Sequence, residues 1–273
     1  MPVLWQAGTT RLLDYRGDRV DPAKPALFVI PSLVNRFYVL DLMPETSFLR
    51  WAAGDGFPVF VVDWDAPVEE VRRFDLTAYV DRRLVPALAA VRDAPGGRAP
   101  ATIGYCMGGN LALALAHRAP RDIDRLALLA TPWDFHAERA QQARWLGAMA
   151  AWMMPAMAVT GALPVDAIQS LFAALDPLQV VRKFLDFAAL DPAGDRARRF
   201  VALEDWLNDG IPLAAPVAIE TLAGWYGANA PATGTWQIGG SAVRPQDCRI
   251  PSLVVIPAGD RIVPPGSARA LAE

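Results

Sequence analysis

The chain has 273 residues, 53% of them hydrophobic, with 26 basic against 29 acidic side chains and a formal net charge of −3. That is enough apolar material for a sizeable core, within the length range of one large α/β domain with an insertion, and no basic block offers a footprint for nucleic acid. Two cysteines, Cys106 and Cys248, are too few for a disulfide framework, and the N-terminus lacks a cationic segment followed by an apolar run and cleavage site, so the cytoplasm is the expected compartment.

In chain order, residues 26–31 (ALFVIP) and 59–64 (VFVVDW) are short apolar runs bounded by Pro, Gly and Asp, the pattern of strands buried on both faces. Residues 46–53 between them read as a helix. Residues 76–92 keep Leu76, Tyr79, Val80, Leu84, Leu88 and Val91 at helical spacing and close in a Pro95-Gly96-Gly97 turn. Residues 101–105 form a third expected strand, 111–117 lie in the helix after it, 126–131 (LALLAT) form a fourth strand and 252–258 (SLVVIPA) a fifth, far downstream. Short β-branched runs alternating with amphipathic stretches signal parallel strands joined by crossover helices.

Residues 137–230 are rich in Trp and Met, with helical periodicity and no strand alternation. They are expected to form a helical cap inserted into a sheet domain made of 1–136 and 231–273. Within the cap, residues 145–165 (WLGAMAAWMMPAMAVTGALPV) carry no charge and match the length of a bilayer-crossing helix. Their content argues for a buried cap helix instead: alanine dominates, and Gly147, Pro155, Gly161 and Pro164 would break a lipid-exposed span.

Gly104-Tyr105-Cys106-Met107-Gly108-Gly109 follows an expected strand and opens an expected helix, which is the context of the nucleophile elbow GxSxG with sulfur in place of the hydroxyl. The flanking glycines permit a sharp turn with a strained residue at its tip. A thiol there gains from the helix N-terminus, whose dipoles and free N–H groups are expected to lower its pKa. The Met107 N–H is placed to donate to an oxyanion, with a second donor from Leu33 or Val34 after the first strand, Val34 being preferred. A free thiol in a glycine turn can also be an inert core residue, which is the better reading for Cys248.

An acid is needed to orient a base, and Asp260, directly after the fifth strand, occupies the position hydrolase-fold enzymes use; Asp134 is the alternative, and a turn aspartate ahead of Pro264 and Pro265 is the bland reading of Asp260. The usual chain order of nucleophile, acid and histidine cannot be completed, because no histidine follows His136. His117, eleven positions beyond Cys106 in the same helix, would lie roughly 16 Å from it. His136 precedes the acid, an irregular arrangement. Residues 267–273 read as a helix cut short, and a further helix and strand would be needed to deliver an imidazole.

Taken in order, PSLVNRFYVLDLMPETSFLRW at 31–51, VFVVDWDAP at 59–67, GYCMGG at 104–109, TPWDF at 131–135, FVALEDWLNDGIPLA at 200–214 and VVIPAGDRIVP at 254–264 resemble segments of the polyhydroxyalkanoate synthases, especially the short class III type. The similarity covers most of the chain. It implies an α/β-hydrolase fold with a mostly parallel sheet, and acyl transfer from a 3-hydroxyacyl-CoA thioester to Cys106 and on to a growing polyester. By the same resemblance Asp260 corresponds to the family's aspartate, and the family's histidine has no counterpart. A homodimer or a synthase partner subunit, and a place at the surface of polyester granules, follow as expectations. No bound cofactor is expected beyond the acyl-CoA substrate, and no metal or nucleotide-phosphate motif is present.

Trp145, Trp152, Trp206, Trp225, Met153, Met154 and Met157 could line a tunnel in the cap, or be ordinary helix core. Two rival functions stay open: a cysteine hydrolase of the same fold acting on esters or thioesters, and a catalytically silent relative that binds granules or a partner.

Overall fold

The computed structural model describes residues 1–17, 20–94, 98–175 and 177–273. A hairpin of β1 (Val3–Ala7) and β2 (Thr10–Asp14) opens the chain, followed by β3 (Leu27–Ile30), β4 (Val59–Asp63), β5 (Ala101–Tyr105) and β6 (Arg125–Leu129). Two short antiparallel pairs, β7 (Ala162–Leu163) with β8 (Leu213–Ala214) and β9 (Gln237–Ile238) with β10 (Ser241–Ala242), precede β11 (Ser252–Val255). Seven strands form one sheet in the order β1-β2-β4-β3-β5-β6-β11. From β4 to β11 its neighbours run parallel, and β2 joins β4 antiparallel.

The expected parallel strands are present, with ends trimmed for local reasons. β3 stops before Pro31, which has no N–H for a ladder. β6 stops at Leu129 because Ala130 turns to a positive φ of 48°. β3 and β4 are buried along their whole length, whereas β11 is an edge strand with Leu253 61% exposed. The hairpin β1–β2 lies outside the sequence expectations, as do the pairs β7–β8 and β9–β10, of which β7–β8 falls inside the stretch read as purely helical.

Helices flank the sheet: α1 (Phe48–Gly54), α2 (Leu76–Tyr79), α3 (Val85–Asp93) and α4 (Met107–Arg118). Ser47 caps α1 by accepting the Arg50 N–H at 3.0 Å, and Asp75 caps α2 by accepting the Ala78 N–H at 2.7 Å. The helix expected at 76–92 is interrupted by a π-helical turn, Val80–Leu84. Pro86 has no N–H to give the Arg82 carbonyl, which takes the Arg83 guanidinium instead at 3.0 Å. The Pro95-Gly96-Gly97 turn lies outside the described residues.

Between β6 and β11 the chain runs through α5 (Ala140–Thr160), α6 (Val165–Leu175), α7 (Pro177–Ala188), α8 (Asp195–Asn208) and α9 (Ala215–Ile219) into a π-helical turn, Glu220–Gly227; α10 (Pro265–Arg269) follows β11. The uncharged run at 145–165 is not the buried helix expected. Ala143, Leu146, Gly147, Ala150 and Met157 form a buried stripe, while Trp152 is 81% and Val159 88% exposed on the other face. One contact face cannot bury apolar residues placed all round a helix.

Gly147 is a crossing point rather than a break: a Cβ there would sit 2.4 Å from the Gly227 Cα, so α5 and the π turn touch backbone to backbone. The helix runs through Pro155 and ends at Gly161, whose left-handed φ of 73° lets its N–H reach the Met157 carbonyl at 2.8 Å. Among the described residues no helix is long and apolar enough to cross a membrane.

What positions the site is the seating of α4 against the sheet. A Cβ on Gly108 would lie 2.1 Å from the Ile30 carbonyl oxygen and 2.6 Å from that of Pro31, and one on Gly104 would lie 2.4 Å from the Gly109 Cα. All of these neighbours are backbone and cannot swing aside. The Cys106 N–H donates to the Leu129 carbonyl at 2.8 Å, and the Cys106 carbonyl accepts the Gly109 N–H at 2.8 Å. The Trp64 indole N–H donates to the Pro31 carbonyl at 3.0 Å, pinning the loop after β3 from below.

Gly108→Ala is therefore expected to destabilise the fold by about 1–3 kcal/mol, the usual cost of overpacking a rigid site. Gly54→Ala, in the last turn of α1 with nothing within 4 Å of the added Cβ, should instead be neutral or stabilise by up to about 1 kcal/mol. Urea denaturation of the two variants reads the contrast; equal midpoints would contradict the close approach of α4 to β3.

Candidate active site

Cys106 sits between β5 and α4 with φ 54° and ψ −127°, a conformation that a non-glycine residue adopts only where the surroundings enforce it. The residue is half-buried at the floor of a pocket. The Met107 N–H, the first amide of α4, and the Ser32 side chain favour the charged form of the sulfur, and the negative charge of Asp260 opposes it.

The expectation that the helix N-terminus lowers the thiol pKa is corrected by the structure. Burial pushes the Cys106 thiol up to about 11, and Asp260 adds to the rise, while the Met107 and Ser32 hydrogen bonds pull the other way and do not balance it. The local dipole is overruled because apolar walls surround the sulfur. Burial also raises Tyr105 and Tyr226, and a thiolate at Cys106 would add to both, which puts two phenols in the electrostatic neighbourhood of the sulfur.

The other residues singled out in the sequence divide clearly. Val34 lines the pocket, and its N–H points to the Ser32 hydroxyl at 3.4 Å; Leu33, only 3% exposed, belongs to the core. Asp260 spends Oδ1 on the N–H groups of Ile262 and Val263, at 2.8 and 2.9 Å, so it closes a turn as well as facing Cys106. Asp134 accepts the His136 N–H and the Asn229 side-chain amide, each at 2.8 Å, tying the end of the sheet to the chain beyond the π turn.

His136 is engaged with the Tyr226 carbonyl at 2.8 Å, and His117, in the last turn of α4, with the Arg244 carbonyl at 2.9 Å. Neither imidazole is brought to the sulfur. Cys248 is half-buried and packs against the core. Ser32 was not singled out in the sequence; its signal is a hydroxyl placed directly after Pro31, where the loop turns over the nucleophile.

The pocket is a small cavity of about 80 Å³. Its floor is Ser32, Val34, Cys106 and Met107, and its roof comes from Leu146 of α5, Ile168, Leu171 and Phe172 of α6, and Leu222, Trp225 and Tyr226 of the π turn. Of the Trp and Met residues weighed for a tunnel, Trp225 lines this pocket, and its buried indole N–H has no partner. Trp206 donates to the Arg36 carbonyl at 2.8 Å, Met157 is core, and Trp145, Trp152 and Met154 are 48%, 81% and 47% exposed, outside any tunnel. Trp145, Trp152 and Met154 share α5 with Leu146 but not its buried face.

The family model described as alpha/beta hydrolase fold matches residues 25–273. The chain is 26% identical over 268 residues to the poly(3-hydroxyalkanoate) polymerase subunit PhaC of Haloferax mediterranei, covering 98% of this chain and 54% of that protein. To the protein of the same name from Allochromatium vinosum it is 26% identical over 266 residues, covering 96% and 74%. To that of Rhizobium meliloti it is 37% identical over 137 residues, covering 49% and 22%. The chain thus spans about half the length of the first curated relatives it matches.

Among solved structures, the Mycobacterium tuberculosis protein Rv0554 superposes with a TM-score of 0.55 at 15% identity, covering 96% of this chain and 80% of that one. An alpha/beta hydrolase fold protein from Nakamurella multipartita gives 0.51 at 17% identity, covering 96% and 82%. At these identities the likeness speaks to the fold alone.

With the thiol raised to about 11, its thiolate share grows tenfold per pH unit below that value, and alkylation follows the thiolate. The rate of Cys106 carboxamidomethylation by iodoacetamide, read by mass spectrometry of its peptide, should therefore climb through pH 7 to 10 without levelling. A plateau near neutral pH would show a cationic partner at the sulfur and overturn this account.

Proposed function

The chain belongs to the alpha/beta hydrolase fold family, and we propose that within it the chain carries the acyl-transfer chemistry of a poly(3-hydroxyalkanoate) polymerase, with Cys106 as the acyl acceptor. The observation that carries the reading is the strained Cys106 at the floor of an apolar, roofed pocket, joined to the likeness of nearly the whole chain to proteins named as such polymerases.

The chemistry follows from the residues. The Cys106 thiolate attacks the carbonyl carbon of a 3-hydroxyacyl-CoA, forming a carbon–sulfur bond; the bond to the CoA sulfur breaks, and the proton lost by Cys106 ends on the departing thiol. Negative charge on the carbonyl oxygen is assigned to the Met107 N–H and to the Val34 N–H, which has to leave the Ser32 hydroxyl it reaches at 3.4 Å. A chain-end hydroxyl then attacks the acyl-enzyme, passes its proton to the Cys106 sulfur and leaves the polyester one unit longer. Thioester exchange suits sulfur, since bond making and bond breaking involve the same kind of atom.

Two features favour transfer over hydrolysis. The roof of Leu146, Ile168, Leu171 and Trp225 keeps the sulfur among apolar side chains, which disfavours water and accommodates an aliphatic polyester. The unpartnered Trp225 N–H is a donor that an ester oxygen would satisfy. Asp260 is assigned the place of the acid at this site, with neither His117 nor His136 at the sulfur for it to orient. Assembly with a second copy or a partner subunit belongs to the same proposal.

Exposure of the chain to 3-hydroxybutyryl-CoA, followed by intact-mass and peptide mass spectrometry, should place a hydroxybutyryl adduct on Cys106 and release free CoA. Cys106→Ala should abolish the adduct. CoA release without polymer or stable adduct would favour the hydrolase, and no adduct with unchanged binding to polyester granules would favour the silent relative.

A further inference from the structure

We propose that Glu220 is a positioning residue of the Cys106 pocket: its carboxylate holds the Trp236 indole, and Trp236 in turn sets the plane of Trp225, a wall of that pocket. The proposal rests on this pocket being the reaction site of the preceding reading, and deepens it.

Glu220 opens the π-helical turn whose Leu222, Trp225 and Tyr226 roof the pocket. Its two oxygens are spent on two distant parts of the chain. Oε2 accepts the Leu76 N–H at the start of α2 at 3.1 Å, and Oε1 accepts the Trp236 indole N–H, just before β9, at 3.0 Å. The side chain is half-buried and both of these donors are neutral, so directed hydrogen bonds fix where the carboxylate sits. A carboxylate accepts on both oxygens, whereas a glutamine in its place would turn an NH₂ group towards one of the two N–H donors.

Trp236, 3% exposed, meets Trp225 edge to face, with ring centroids 5.1 Å apart and planes at 80°. It stands behind Trp225 rather than on the wall of the pocket. Trp225 is 2% exposed, and among the described residues its indole N–H has no hydrogen-bond partner, so packing alone holds its ring. The rings that do so are Trp236 and Phe135, the latter 5.6 Å away and itself a pocket wall. Of these two supports, Trp236 is the one anchored by a hydrogen bond to a carboxylate. In a cavity of about 80 Å³ a small tilt of Trp225 changes what fits over the sulfur.

The test compares two alkylating agents at Cys106 in a Cys248→Ser background: iodoacetamide, which is small, and N-phenylmaleimide, which needs room for a ring. Both react with the thiolate, so a change in the acidity of the sulfur moves both rates alike and cancels in their ratio. The rates are read by mass spectrometry of the Cys106 peptide, well below the melting temperature of each variant. Glu220→Gln and Trp236→Phe should each shift the ratio roughly three- to tenfold towards the maleimide, the range that one aromatic contact is worth. Because Glu220 acts through Trp236, the double variant should shift it no further than the larger single change. A role in stability alone would lower the melting temperature and leave the ratio where it is. Should Glu220→Gln fail to fold, Glu220→Asp, which keeps both oxygens and withdraws them by one methylene, takes its place. An unchanged ratio in folded variants, or a double variant that multiplies the two single shifts, overturns the proposal.

Acylation by 3-hydroxybutyryl-CoA is measured in parallel and speaks to the proposed function alone. Wild type that is alkylated but not acylated would sink the acyl-transfer reading, while the alkylation ratio still decides the role of Glu220.

Discussion

The close approach of α4 to the ends of β3 and β5 is the constraint on which this molecule depends. A Cβ at Gly104, Gly108 or Gly109 would collide with backbone or with Thr131, and its absence lets helix and sheet meet. With that gap closed, the chain between β5 and α4 has no room for a relaxed turn, and Cys106 is left at φ 54° with its side chain over the sheet edge. Strain of this kind costs of order 1–3 kcal/mol and persists only where the surroundings over-determine it. Here the Leu129 carbonyl and the Gly109 amide clamp Cys106 on both sides.

The same closeness sets the electrostatics. A cysteine at the first turn of a helix is ordinarily a candidate for a lowered pKa, and Met107 at the start of α4 does favour the charged form. Yet the pocket that shelters the sulfur also strips it of water, and desolvation outweighs the dipole. The protein therefore holds a strained thiol that burial keeps in its neutral form.

The segment between β6 and β11 has two faces with different physics. Inward, Leu146, Gly147 and Ala150 on α5 meet the π turn at Gly227 and help roof the pocket. Outward, Trp152, Val159, Leu178, Val181 and Leu185 are exposed apolar side chains. Asn229, itself at a positive φ of 55°, ties the segment back to the sheet by donating to Asp134 and accepting the Phe135 N–H. The roof of the pocket is thus fastened to the strand end beside the nucleophile.

Much of the architecture was legible in the amino-acid order because its causes are local. Apolar runs such as LFVI and VFVVD, bounded by proline, glycine and aspartate, specify buried strands, and GYCMGG specifies a tight strand-to-helix turn whatever lies around it. The β1–β2 hairpin was not legible, since its strands are short and are defined by pairing with β4 across some fifty residues. Nor was the exposed face of α5, because composition reports how apolar a helix is and not how much partner surface the fold can offer it. The acidity of Cys106 was decided by tertiary structure alone: it depends on walls drawn from Val34, Leu146, Leu222, Trp225, Tyr226 and Ile262, and solvent exclusion is a property of the assembled pocket that no stretch of sequence carries by itself.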